Sequence, residues 1–302
     1  MSSLLGVAFV TGASQGIGRA IALRLADDGF DVALNDLPSS KDKLDAVSKE
    51  ITAKGRRTWI ALGDISVEDN VQSMISTVVE NLGQLDVMVA NAGICLSKPV
   101  LDTTVADWDR LFSVNVRGTF LCYKYAAAQM IKQGHGGRII GASSIAGQEG
   151  FLEMSAYSGT KFAIRGLTQS ASKEWGPHNI TVNVYCPGAI ETEMLENLGK
   201  QAGSVEKFYE FNRSLAPVGY NGTPDDVANV VSFLASKESH FITGGASFSL
   251  AFVIPHAHYE TISSFRTKYC CQWRQTSTVN VCVCMTMYYQ YDEAMYSSYL
   301  GD

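Results

Sequence analysis

The sequence predicts an α/β fold: a doubly wound, mostly parallel sheet with helices on both faces. Three observations carry that prediction. Short, nearly continuous apolar runs alternate with segments of helical period through residues 5–245. A glycine-rich turn, Gly12-Ala-Ser-Gln-Gly16-Ile-Gly18, joins the first apolar run to the first helical one. Neither an internal repeat nor a Pro/Ser-rich linker divides residues 1–245, so they read as one domain.

The elements follow in order. Val7–Thr11 is an apolar strand, and Arg19–Asp27 after the glycine turn has helical period. Asp31–Asp36 is a second buried strand, and Lys41–Lys54 is an amphipathic helix stopped by Gly55. Arg57–Leu62 is a third strand, leading through Gly63-Asp64 to a helix over Val67–Leu82 that ends at Gly83. Leu85–Ala90 is a fourth strand, closed by Asn91-Ala92-Gly93. Thr104–Gln133 carries helical pattern with Asn115 inside it. Gly137–Ser143 is a fifth strand, Ser155–Glu174 a helix, and Ile180–Tyr185 a sixth strand ending at Cys186-Pro187-Gly188. Pro224–Ser236 is a further helix, with Thr223 at its cap and Asp225 and Asp226 in its first turn, where acidic groups suit the helix dipole.

Composition narrows the function. Of 302 residues, 46% are hydrophobic and 18% charged, enough apolar material for a large core and against global disorder. A net charge of −6 argues against nucleic acid or an anionic membrane as partner. Leu4–Val10 runs straight into the glycine turn and reads as a strand instead of a signal segment. No stretch is apolar for long enough to span a bilayer, so a cytoplasmic protein is expected. Cys95, Cys122 and Cys186 read as reduced, packed thiols.

Two constellations carry chemistry. The first is the strand–glycine turn–helix unit. Glycines there let the backbone close on a pyrophosphate held at the helix N-terminus. Asp36 ends the second strand eighteen residues past Gly18, where a carboxylate can accept hydrogen bonds from a ribose diol and repel a 2′-phosphate. Gln15 is neutral and offers such a phosphate no cation. Both favour NAD over NADP, although Asp36 also reads as a turn aspartate before Pro38. Asp64 lies at the carboxyl edge of the sheet, facing an adenine or capping the following helix. The second constellation is Tyr157 and Lys161, four apart and so on one helix face, with Ser144 thirteen residues upstream of Tyr157. A free tyrosine titrates near pH 10, and a lysine ammonium beside it favours the phenolate. A tyrosine so tuned, with a serine hydroxyl nearby, suits proton transfer to a carbonyl or alcohol oxygen.

Thr11-Gly12-x-x-x-Gly16-x-Gly18, Asp64, Asn91-Ala92-Gly93, Asn115, Ser144, Tyr157-x-x-x-Lys161 and Pro187-Gly188-x-x-x-Thr192 occur in an order and spacing that resemble the short-chain dehydrogenase/reductases. The resemblance covers about residues 5 to 245 and implies a Rossmann-like domain performing nicotinamide-dependent oxidoreduction. It implies Tyr157 as acid/base, Lys161 as the group that lowers its pKa and holds the nicotinamide ribose, and Ser144 as the residue orienting the carbonyl oxygen. It implies that Asn115 holds a proton-relay water. Gly12, Gln15, Gly16, Ile17, Gly18, Asp36, Asp64, Ile65, Asn91, Ala92, Gly93, Pro187, Gly188, Ile190 and Thr192 are the implied cofactor contacts, beside Tyr157 and Lys161. Taken singly, Asn115 also reads as a helix-kink residue, Ser144 as a strand-end turn and Pro187-Gly188 as a loop.

Within that family the chain is similar to the diacetyl/acetoin reductases, or 2,3-butanediol dehydrogenases, in Gly134–Ile140, Tyr157–Gln169 and Tyr185–Gly188. Ile145, Gln148, Phe151 and Ile190, with a mobile lid over Glu191–Ser214, are the expected substrate pocket. They are mostly apolar, which suits a small uncharged ketone, while a 3-oxoacyl thioester, a sugar or a steroid-like substrate is the alternative. The resemblance also implies a homodimer or homotetramer, with Val116–Gln133 and Tyr157–Glu174 at the dimer face. After Gly245 the family pattern stops. Ala246–Ile254 alternates enough to serve as a last strand, stopped by Pro255, and residues 261–302 read as an irregular tail. That tail leaves tetramer formation open, and with it the alternative of an inactive nucleotide-binding scaffold. Cys270, Cys271, Cys282, Cys284 and His256-x-His258 do not have a standard zinc spacing, so no metal is expected.

Overall fold

Strands β1 (Val7–Thr11), β2 (Asp31–Asp36), β3 (Thr58–Leu62), β4 (Val87–Ala90), β5 (Gly137–Ala142), β6 (Ile180–Pro187) and β7 (Phe248–Leu250) form one sheet in the computed structural model. The structure describes residues 5–245 and, as backbone, Phe248–Leu250. All strand pairings are parallel and the order is β3-β2-β1-β4-β5-β6-β7. The chain winds outward from β1 to β3, then returns to the other side of β1 as β4. That reversal leaves a crevice beyond the carboxyl ends of β1 and β4, where ligands bind in open α/β sheets.

The sheet is buried on both faces because both side-chain sets of each central strand are apolar. Ala8 and Val10 point into a core shared with helices α1 (Gly16–Asp28), α2 (Lys41–Ala53) and α9 (Pro224–Ala235). Val7 and Phe9 point into a second core, shared with α3 (Glu68–Leu82), α5 (Thr119–Gln133) and Ala171 of α6 (Ser155–Trp175). Helix α9 begins as expected: Thr223 and Asp226 form a reciprocal capping box, with Pro224 in the first turn.

Two stretches differ from expectation. Thr104–Gln133 is not one regular helix. It is α4 (Val105–Leu111), then a wider π-helical turn over Phe112–Gly118, then α5. The region expected as a lid, Glu191–Ser214, holds two amphipathic helices, α7 (Glu193–Gln201) and α8 (Val205–Leu215), capped by Thr192 and Ser204. Of the expected last strand, only Phe248–Leu250 is described, paired with Tyr185–Pro187. The rest of it, the tail cysteines and His256 and His258 lie outside the described residues.

Candidate active site

At the crevice, the turns after β1 and β4 are laced together. The amides of Asn91 and Ala92 both donate to Thr11 Oγ1 at 3.1 Å, and Asn91 Nδ2 donates to Thr11 O at 2.9 Å. Asn91 is held from behind by the buried Tyr185 hydroxyl, which donates to its Oδ1 at 2.8 Å. Gly12 has φ +64°, and a Cβ there would lie 2.9 Å from Ala92 Cα. A Cβ on Gly18 would meet Gly12 O at 2.1 Å, so the turn is too tight for any side chain at that position. Helix α1 follows, with Ile17 half-buried and its N-terminal amides facing the crevice mouth. A glycine cradle, a helix N-terminus and the nearby Asp36 fit a dinucleotide.

Tyr157, Lys161 and Ser144 come together below that cradle. The sharp break at Ser155 starts α6 after Glu153, which has φ +59° and whose carbonyl accepts from the Lys98 amide at 2.6 Å. One turn beyond Tyr157 in α6, Lys161 Nζ stands 5.4 Å from the Tyr157 ring centroid and donates to Ala142 O, at the end of β5, at 2.8 Å. Ser144 is the first residue of the Ile145–Gly147 turn, and its Oγ accepts from the Ala146 amide at 3.1 Å. The Ser144 side chain stands close enough to Tyr157 to influence its titration.

Burial sets the titration of the pair. It pushes the Tyr157 hydroxyl above the usual phenol range, against the opposing effect of the nearby Ser144 side chain. Burial also brings the Lys161 ammonium, only 5% exposed, down to about 8. Desolvation of the phenolate is the largest effect on Tyr157. At neutral pH Lys161 still holds its proton, so the cation that favours phenolate is in place.

Asn115 sits in the π-helical turn and is 1% exposed. Its side chain spans two loops: Oδ1 accepts from Ile94 N at 2.9 Å, and Nδ2 donates to Ile94 O at 2.9 Å and to Thr160 Oγ1 at 3.1 Å. Thr160 in turn donates to Tyr157 O at 2.6 Å. A Cβ on Gly93 would lie 3.2 Å from Asn115 Oδ1 and 3.6 Å from Lys161 Nζ. Asn115 therefore braces the loop after β4 against α6 beside the tyrosine.

The remaining expected contacts fall as follows. The Asp36 carboxylate is oriented by the Ser14 amide at 3.3 Å and the Leu37 amide at 2.8 Å. Gln15 has a cationic neighbour that the sequence reading lacked: Lys43 of α2 donates to its Oε1. Asp64 holds the Ser66 amide and hydroxyl at 2.8 and 2.7 Å, so it closes a turn before α3. Ile65 is buried and packs on Gly118, whose Cβ position lies 2.6 Å from Ile65 Cδ1. Thr192 caps α7 by accepting from the Leu195 amide, and its methyl lies 3.5 Å from the Cβ position of Gly16. The loop after Pro187-Gly188 thus reaches across to the glycine turn. Ile190 is buried and bridged to Gly222. Ile145, Gln148 and Phe151 are half-buried around Ser144, and the Gln148 side chain is bonded to the Cys186 thiol.

Two residues near the site were missed. Cys95, read as a packed thiol, lies within electrostatic reach of Tyr157 and Lys161; burial pushes it up to about 12, so it is neutral. Its position two residues past Gly93 was the available signal. Thr160, beside Lys161, carried no such signal, because its role depends on the π-helical turn.

Comparison with known proteins agrees with this geometry. The family described as Enoyl-(Acyl carrier protein) reductase matches residues 12–248. A short-chain dehydrogenase/reductase of Armillaria gallica is 55% identical over 79% of this chain and 92% of its own. An L-2,3-butanediol dehydrogenase of Corynebacterium glutamicum is 42% identical over 79% and 94%. A 3-oxoacyl-[acyl-carrier-protein] reductase of Staphylococcus aureus is 39% identical over 78% and 93%. Among solved structures, acetoin dehydrogenase from Enterobacter cloacae superposes with a TM-score of 0.72, at 35% identity over 81% of this chain and 94% of that one. The protein is therefore an oxidoreductase of the short-chain dehydrogenase/reductase family.

Proposed function

We propose that the protein interconverts a small uncharged ketone and its alcohol with NAD(H), with diacetyl, acetoin and 2,3-butanediol as its substrates. The observation that carries this is the convergence of Ser144, Tyr157 and Lys161 beside the glycine-lined crevice. A nicotinamide nucleotide bound in that crevice supplies or accepts the hydride. In the direction of reduction, Tyr157 gives its hydroxyl proton to the substrate oxygen as the carbon gains hydride. Ser144 donates a hydrogen bond to the same oxygen and fixes its distance from the phenol. Lys161 keeps a positive charge close to Tyr157, which favours the phenolate left behind. Asn115 holds the Ile94 loop and α6 at fixed separation, and is the residue that would hold a water for return of the proton. Ile145, Phe151 and Ile190 give the pocket an apolar wall suited to a short uncharged chain.

Asp36 supports NAD, since its carboxylate faces the cofactor end of β2 and opposes a 2′-phosphate. A 3-oxoacyl thioester is the second reading, favoured by the similarity to the Staphylococcus aureus reductase. A panel of diacetyl, acetoin and a 3-oxoacyl thioester, each with NADH and NADPH, separates the two. Turnover fastest with diacetyl or acetoin and NADH is expected; faster turnover of the thioester would replace the first reading by the second.

A further inference from the structure

We propose that Arg165 is a positioning residue that sets where the Ser144 hydroxyl stands relative to Tyr157. This rests on the roles of Ser144 and Tyr157 given above. Ser144 belongs to a short turn after β5, and Tyr157 to helix α6, so their separation depends on how that turn is held to that helix. Three ties do this. Lys161 Nζ donates to Ala142 O at 2.8 Å, just before the turn. Ser143 Oγ donates to Lys161 O at 3.0 Å. Arg165 Nη1 donates to Gly147 O at 2.5 Å, just past the Ser144 side.

The first two ties fix only the base of the turn. Between them the turn lies directly against the helix backbone: a Cβ on Gly147 would come within 2.4 Å of Ser143 Oγ and 2.8 Å of Lys161 O. The carbonyls of Ser144 and Ile145 are taken by the turn's own amides, from Gly147, Gln148 and Glu149. Gly147 O is the one that reaches α6 through Arg165. The guanidinium is itself restrained, with its carbon 5.8 Å from the Phe162 ring centroid. Arg165 lies one turn beyond Lys161 and two beyond Tyr157 on the same side of the helix. The side-chain hydrogen bond it makes is to the turn carbonyl of Gly147, so it acts on Ser144 through the turn. Misplacement of an orienting group by about 1 Å is enough to cost up to ~100-fold in rate.

The test compares the purified full chain with Arg165→Met and Arg165→Lys. For Arg165→Met the expected result is a kcat lowered about tenfold or more, with NADH affinity and substrate KM within about twofold of the parent. Arg165→Lys, which keeps a donor, is expected to recover most of that loss. Hydrogen exchange of the amides over 144–149 reads the turn without any substrate, and is expected to quicken in Arg165→Met only. Unchanged kcat and unchanged exchange in Arg165→Met overturn the proposal, as does a loss that Arg165→Lys does not recover at all. If Arg165→Met does not fold, Arg165→Lys decides alone: parental kcat and exchange support the clamp, whereas a loss of NADH affinity contradicts it. An unaltered chain that turns over no carbonyl counts against the catalytic reading, while the exchange data still judge the clamp.

Discussion

Lys161 is held in a place that opposes its charge. Only 5% exposed, it titrates near pH 8 in the fold against 10.5 when free, so between those values the unfolded chain binds the extra proton. Stability contributed at this site therefore rises with pH through that window and is lowest below it. Replacing Lys161 by Met removes a penalty of up to about 3 kcal/mol, less about 1 kcal/mol for the hydrogen bond to Ala142 O. Thermal melts should show Lys161→Met more stable than the parent at pH 7, with the gap closing by about pH 10.5; a less stable variant at pH 7 would contradict the electrostatic account. Asp36 and Gln15 are the proposed cofactor-selecting residues. The double change Asp36→Ala, Gln15→Arg should turn NADH preference toward NADPH by an order of magnitude or more in fluorescence titrations. Lys43, already bonded to Gln15, adds to that shift. An unaltered preference would show that the ribose does not lie there.

At the scale of elements, the strands and the glycine-stopped helices were readable because their signals are local. Apolar runs such as Asp31–Asp36 coincide with the structure end for end, and Gly83 closes α3 where expected. That Lys161 stands beside Tyr157 was readable from their spacing of four. What was not readable depends on contacts distant in sequence. The π-helical turn over Phe112–Gly118 leaves no mark in the period of Thr104–Gln133 beyond Asn115 as a candidate kink residue; within it Asn115 reaches Ile94 and Thr160. Likewise α7 and α8 pack on each other, capped by Thr192 and Ser204, within a stretch readable in the sequence only as a lid. Asn115→Ala strands the half-buried Ile94 amide and carbonyl without their side-chain partner. It should cost about 3 kcal/mol in urea unfolding and reduce turnover together with stability. A cost under about 1 kcal/mol would mean that the brace is not what holds the π-helical turn.

At the scale of the whole molecule, helices α5 and α6 each expose a large aromatic side chain. Phe120 and Phe162 are each 44% exposed, and a groove beside Phe120 is lined by Phe112 and Val116 and flanked by Arg110 and Arg117. Large apolar side chains exposed together favour a partner, and a second copy of the chain is the partner that the expected dimer face supplies. Phe120→Glu with Phe162→Glu should convert a dimer to a monomer by light scattering; an unchanged mass would place the interface elsewhere. The proposed donor and its lysine, Tyr157 and Lys161, stand on one helix of one chain. The most direct test of their chemistry is NADH oxidation with diacetyl or acetoin by the parent chain and by Tyr157→Phe. A loss of about a thousandfold in kcat, with NADH binding retained, is the predicted result. Undiminished turnover in Tyr157→Phe would contradict the assignment of Tyr157 as the proton donor.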